Sequence, residues 1–147
     1  MRLDLQSRIY LASRSPRRRD LLHQIHVNFE IVLFRTGLRE DVEVCEDVMA
    51  GESPADYVLR IAHAKALAGI GRVGSRRLMP HPVLAADTTI ELDGGIIGKP
   101  DSAEHAEQIL ANLSGRAHQV LTAIAVADAE YVEHHLCVSQ VRFRQLD

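Results

Sequence analysis

The sequence predicts an α/β domain built on a mixed, twisted sheet flanked by helices, and three observations carry that expectation. Short apolar runs alternate with segments of helical spacing, two Ser-Pro pairs mark helix starts at Ser15-Pro16 and Ser53-Pro54, and two longer strand-like runs close the chain. The 147 residues suffice for one domain, 1–147, and 46% apolar against 25% charged residues allows a buried core.

Ile9 to Ala12 reads as a buried strand. Ser15 is a favoured N-cap and Pro16 fits the first helical position, where no backbone donor is needed, so a helix is predicted over 16–25 with Leu21, Leu22 and Ile25 turned inward. Phe29 to Phe34 forms a second strand, and the stretch from Arg39 to Glu52 is an acidic, solvated loop. Ser53 and Pro54 start a second helix, with Asp56 in its first turn, running through Tyr57, Ile61 and Ala64 to about Ala68. Gly69 to Pro82 is punctuated by Gly and Pro and reads as an exposed connection.

Pro82 to Asp87 is an apolar strand that should end at Asp87, and Ile90 to Ile97 folds as a hairpin around Asp93-Gly94, delivering Lys99 at its far end. Ser102 to Leu113 is a third helix, with Ala106, Ile109, Leu110 and Leu113 inward, stopped by Ser114 and Gly115. His118 to Val126 and Tyr131 to Phe143 complete the order as two long strands.

Composition narrows the function. A formal charge of −3, with three Tyr and three Phe, disfavours a protein that grips nucleic acid over a broad basic surface. No run of about 18 apolar residues predicts a membrane partner, and isolated Cys45 and Cys137 fit reduced thiols, so a cytoplasmic location is expected. The eight histidines form no three-ligand set. Of 17 basic side chains only Lys65 and Lys99 are lysine, which suggests two positions that want a compact ammonium.

Four features point to one chemistry. Arg17 and Arg18 stand at a helix start whose dipole also attracts anions, an acidic loop follows, two lone lysines recur, and Asp87 sits at a strand end, where open α/β sheets place ligands. Cations neutralise a polyphosphate while carboxylates hold hard Mg²⁺ through oxygen, so hydrolysis or transfer at phosphorus is the expected reaction.

The segments LASRSPRRRDLL, ESPADYVLRIAHAKA, AADTTIELDGGIIGKP and LSGRAHQVLTAIAV resemble, in order, the hallmark segments of the Maf family of nucleoside triphosphate pyrophosphatases, once described as septum-formation inhibitors. The resemblance implies an inosine-triphosphatase-like fold of the Maf/Ham1 kind. It also implies hydrolysis of a nucleoside triphosphate to its monophosphate and pyrophosphate with Mg²⁺ or Mn²⁺. Ser13, Arg17 and Arg18 match the family's phosphate-binding segment, Lys65 its motif lysine, Asp87 the aspartate of ADT and Lys99 the lysine of GKP. By the same resemblance the lysines act on the triphosphate and Asp87 either activates water or binds metal. The combination of AADTT with SPRRR is more similar to the branch acting on dTTP and UTP than to the branch preferring 7-methylguanosine triphosphate.

Two departures from the pattern carry expectations of their own. The family's Asp-Glu pair before the second helix is replaced here by REDVEV, which offers Glu40, Asp41 or Glu43 as the metal-binding acid, with Glu43 favoured and Glu40 next. Family members also continue past the position of Asp147, so a C-terminally shortened domain is expected, with an exposed strand edge. The expected outcomes are a weakened enzyme, a chain completed as a homodimer, or a non-catalytic nucleotide-binding or division-regulating protein.

Overall fold

A computed structural model describes residues 8–32 and 44–147. The described elements are β1 (Ile9–Leu11), α1 (Pro16–Gln24), β2 (Phe29–Ile31), α2 (Pro54–Ser75), β3 (Val83–Leu92), β4 (Gly95–Ile97), α3 (Ala103–Leu113), β5 (Ala117–Ala127) and β6 (Val132–Arg142). The strands form one mixed sheet in the order β2-β1-β3-β5-β6, with β4 paired to β3 off that path. β1 runs parallel to β2 and β3, whereas β5 is antiparallel to both β3 and β6. The α/β class with a mixed sheet is therefore as the sequence predicts.

The core lies between one face of this sheet and α2. Val58, Ala62, Ala66 and Val73 form a stripe at helical spacing and meet Val83 and Ala85 of β3 with Leu121, Ala123, Ala125 and Ala127 of β5. Alanine on both sides lets helix and sheet approach closely. Gly69 takes this furthest, since a Cβ there would stand 2.5 Å from Val83 Cγ1 and 3.3 Å from the Cβ of Ala12.

Several boundaries differ from expectation. α2 does not stop near Ala68 but continues to Ser75, because Gly69 and Val73 extend the buried stripe and tertiary packing outweighs the low helix propensity of glycine. β3 does not end at Asp87. Thr88, Thr89 and Ile90 are β-branched and pair with Thr122, Leu121 and Val120 of β5, so the strand runs on into the hairpin. The turn itself is as predicted, with Asp93 and Gly94 at φ 53° and 81°.

The two smaller helices bury less than their spacing suggests. In α1 only Leu22 is buried, while Leu21 and Ile25 are 55% and 61% exposed. In α3 Leu113 is buried and Leu110 is exposed. The final residues of the predicted second strand, Leu33 and Phe34, lie outside the described residues. Among the described residues no helix is long and apolar enough to cross a membrane.

Candidate active site

A cavity of about 1500 Å³ opens where the end of β1, the start of α1, the middle of β3 and the far end of the hairpin meet. It exceeds the roughly 300–1,000 Å³ of an ordinary small-molecule cleft and has room for a nucleotide. Ser13, Arg17, Arg18, Lys65, Asp87 and Lys99 all line it, so the structure brings together the side chains singled out from four separate stretches. Arg19 is not among the lining residues.

On the α1 side, parallel pairing fixes the strand end through Ala12 N–H donating to Leu84 O at 2.9 Å. Ser13 follows, 8% exposed, and its Oγ accepts from the Ser15 backbone N–H at 3.2 Å and from an Arg18 guanidinium nitrogen at 3.1 Å. Its hydroxyl proton is thereby left to donate elsewhere. Ser15 occupies the N-cap position, but contrary to expectation its side chain makes no capping hydrogen bond. Burial lowers the Arg18 pKa, with Asp87 partly opposing and Arg17 reinforcing that shift.

On the α2 side, close packing of the helix on β3 puts Lys65 beside Asp87, 8% exposed, with Lys65 Nζ donating to Asp87 Oδ1 at 2.9 Å. A second carboxylate reaches the same ammonium, Glu46 Oε1 at 2.6 Å. Burial works against the charge on Lys65, yet the hydrogen bonds it donates to Glu46 and Asp87 raise its pKa. Burial likewise opposes ionisation of Glu46, but the Lys65 hydrogen bond and charge, aided by Lys99 and Arg18, bring its pKa down. Both groups are therefore held in their charged forms at neutral pH.

Glu46 belongs to the acidic segment but is not among the residues favoured there. Glu40, Asp41 and Glu43 lie outside the described residues. In the sequence Glu46 is one of several acids before the Ser53-Pro54 helix start, and what singles it out is that α2 reaches back to it, through Lys65 and through Tyr57 Oη donating to Glu46 O at 3.0 Å. Thr88 and Thr122 were also missed. They pair across β3 and β5, approach to 3.0 Å at their hydroxyls and line the cavity on the sheet face opposite the core, beside Ile124.

Among the described residues, Glu46 and Asp87, converging on one ammonium, are the carboxylates lining the cavity, and they suit a hard divalent ion. Among the described residues no group of three or more His, Cys, Asp or Glu side chains is placed to hold a metal. Such an ion is commonly held by only one or two carboxylates and completed by phosphate oxygens and water, so the pair fits the group.

A mixed sheet with one buried helix against it and a cationic cleft at its open side belongs to a known architecture. The solved structure of the Staphylococcus aureus Ham1 protein superposes with a TM-score of 0.56 at 20% identity, covering 91% of this chain and 69% of that one, which establishes likeness of fold. The chain belongs to the Maf-like protein family, whose model matches residues 8–147. The dTTP/UTP pyrophosphatase of Aromatoleum aromaticum is 54% identical over 144 residues, spanning 97% of this chain and 70% of its own length. That of Dechloromonas aromatica is 50% identical over 140 residues, spanning 95% and 70%.

Proposed function

We propose that the chain is a nucleoside triphosphate pyrophosphatase acting on dTTP and UTP, releasing the monophosphate and pyrophosphate. The observation that carries this reading is the convergence of Arg17, Arg18, Lys65 and Lys99 with Glu46 and Asp87 on one cavity. That is the charge arrangement needed to bind a triphosphate and to hold a hydrolytic water. The names of the relatives at 50% and 54% identity supply the substrate class.

In this reading the triphosphate lies along the cationic wall. Ser13 donates its hydroxyl proton to a phosphate oxygen, the arginines neutralise non-bridging oxygens, and Lys99 screens the departing pyrophosphate. Lys65 holds Glu46 ionised, bridges it to Asp87 and adds its charge to the same field. Asp87 orients the attacking water through one oxygen and accepts its proton as the bond between the α-phosphorus and the α,β-bridging oxygen breaks. Mg²⁺ or Mn²⁺, held by Glu46 and Asp87, would supply Lewis-acid stabilisation of charge on the phosphoryl oxygens. Thr88, Thr122 and Ile124 line the part of the cavity left for the nucleoside.

A cytoplasmic location and a homodimeric assembly are part of the same proposal, the second open to sedimentation measurement. The decisive experiment is a panel of nucleoside triphosphates with pyrophosphate detection in the presence of Mg²⁺. Release from dTTP and UTP ahead of purine nucleotides is the expected result. Calorimetric binding of these nucleotides without any turnover would instead support a non-catalytic nucleotide-binding protein.

A further inference from the structure

Glu46 lies in a segment, 44–52, that has no helix or strand of its own, so no backbone ladder fixes its carboxylate at the cavity. It is fixed instead from α2. Tyr57 Oη donates to Glu46 O at 3.0 Å, and an Arg60 guanidinium nitrogen donates to the next carbonyl, Asp47 O, at 2.8 Å. Arg60 also grips Glu52 with both arms of its fork, Nε to Oε1 at 2.6 Å and a terminal nitrogen to Oε2 at 2.8 Å. Glu52 Oε2 in turn accepts from Met49 N–H at 3.0 Å, closing the turn. The Arg60 guanidinium carbon stands 5.6 Å from the Tyr57 ring centroid, so the two anchors also support each other.

We infer that Arg60, with Tyr57 beside it, is a positioning residue that holds the Glu46 carboxylate in register with Lys65 and Asp87. The inference rests on the hydrolase reading above and adds to it how the acid is kept in place. Arg60 does not line the cavity, and its hydrogen bonds go to Glu52 and to the carbonyls of Cys45 and Asp47, so its influence on the reaction passes through the segment it grips. One helix thus carries the ammonium of Lys65 and, on neighbouring turns, the groups that deliver its carboxylate partner. Arginine suits the task because its planar fork meets a carboxylate bidentately and still offers a donor to a carbonyl, whereas a lysine is a point charge.

The test is a double-mutant cycle on pyrophosphate release from UTP, combining Arg60→Ala with Glu46→Gln, together with backbone amide exchange of the same proteins. Arg60→Ala is expected to lower kcat about 10- to 100-fold, as a misplaced catalytic group does, with KM for UTP changed by less than about threefold. The double variant should be no slower than Glu46→Gln alone within about twofold, because both changes remove one function. Amides of Asp47 to Glu52 should exchange at least about tenfold faster in Arg60→Ala while those of α2 keep their protection. Arg60→Lys should recover only part of the rate.

Multiplicative losses in the double variant, full recovery in Arg60→Lys, or unchanged exchange in the segment would each overturn the inference. Should the unaltered chain release no pyrophosphate, the hydrolase reading fails, and the exchange comparison still decides whether Arg60 holds the segment.

Discussion

The chain starts two helices with the same Ser-Pro pair and uses them in opposite ways. At Ser53 the hydroxyl accepts from Asp56 N–H at 3.1 Å and donates to the Asp56 carboxylate at 2.7 Å, and the helix that follows buries one face from Val58 to Val73. At Ser15 the side chain caps nothing, and α1 leaves Leu21 and Ile25 in solvent. Local grammar starts both helices. What surrounds them decides whether the first turn satisfies itself or keeps donors for an anion. α2 is therefore the wall that arrives assembled, with Lys65 already between two carboxylates, whereas the α1 wall presents Arg17 and Arg18 to a cavity that a polyphosphate would complete.

The contrast breaks hardest at Asp87. Asp87→Asn keeps the shape of β3 but removes the charge facing Lys65, and kcat for pyrophosphate release should fall by at least about 100-fold. Arg18→Ala, on the other wall, should act on binding: KM for UTP rises about tenfold, the loss of a hydrogen bond to a charged group, with a smaller change in kcat. Equal kcat losses from the two variants would erase the distinction between an assembled wall and a receptive one.

How the α2 wall comes to be assembled was only half legible. Lys65 and Asp87 stood out in the sequence because lysine is scarce and because an aspartate interrupts an apolar run. Their contact depends on the closeness of α2 to β3, which follows from alanine stripes meeting across a layer and from Gly69, and such facing pairs are invisible until the topology is known. The sequence did mark Gly69, but as a loop residue, since a glycine's tolerance of close approach and its preference for turns look identical in one dimension. Glu46 was hidden for a similar reason. Six carboxylates crowd one acidic stretch, and only the reach of Tyr57 and Lys65 from α2 separates one from the rest. By contrast the strands and the Asp93-Gly94 turn were legible because their signals are local.

Gly69→Val tests the close approach directly. The added atoms would meet the stiff, β-branched Val83 at a site already within 2.5 Å of contact for a Cβ. Overpacking of this kind should destabilise the chain by about 1–3 kcal/mol in a denaturant melt. Activity should fall as well, because a displaced α2 moves Lys65 off Asp87. The helix starts give a finer comparison: Ser53→Ala should cost about 1 kcal/mol as a lost cap, whereas Ser15→Ala should cost less than about 0.5 kcal/mol. Similar losses at both positions would mean that the two starts are used alike.

The smallest expected effect concerns acid. Hydrogen bonding to Arg60, against a lesser effect of burial and with help from the Met49 N–H, lowers the Glu52 pKa from 4.5 to about 2. A carboxyl with a depressed folded-state pKa binds its proton more readily when unfolded, so the unfolded state gains protons first as pH falls. The stabilisation from Glu52 is therefore fully present above its ordinary value of 4.5 and is lost progressively as pH drops toward about 2. Glu52→Gln has no such charge to lose. The difference in melting temperature between the unaltered chain and Glu52→Gln should stay constant at neutral pH and shrink as pH is taken below 4.5. The same shrinkage should be much smaller when both proteins carry Arg60→Ala, since the fork that contributes most to the depressed pKa is then gone and only the Met49 N–H remains. A weakly pH-dependent difference in the Arg60→Ala background and a strongly pH-dependent one in the native background together identify the fork, and not general acid weakening of the fold, as the source.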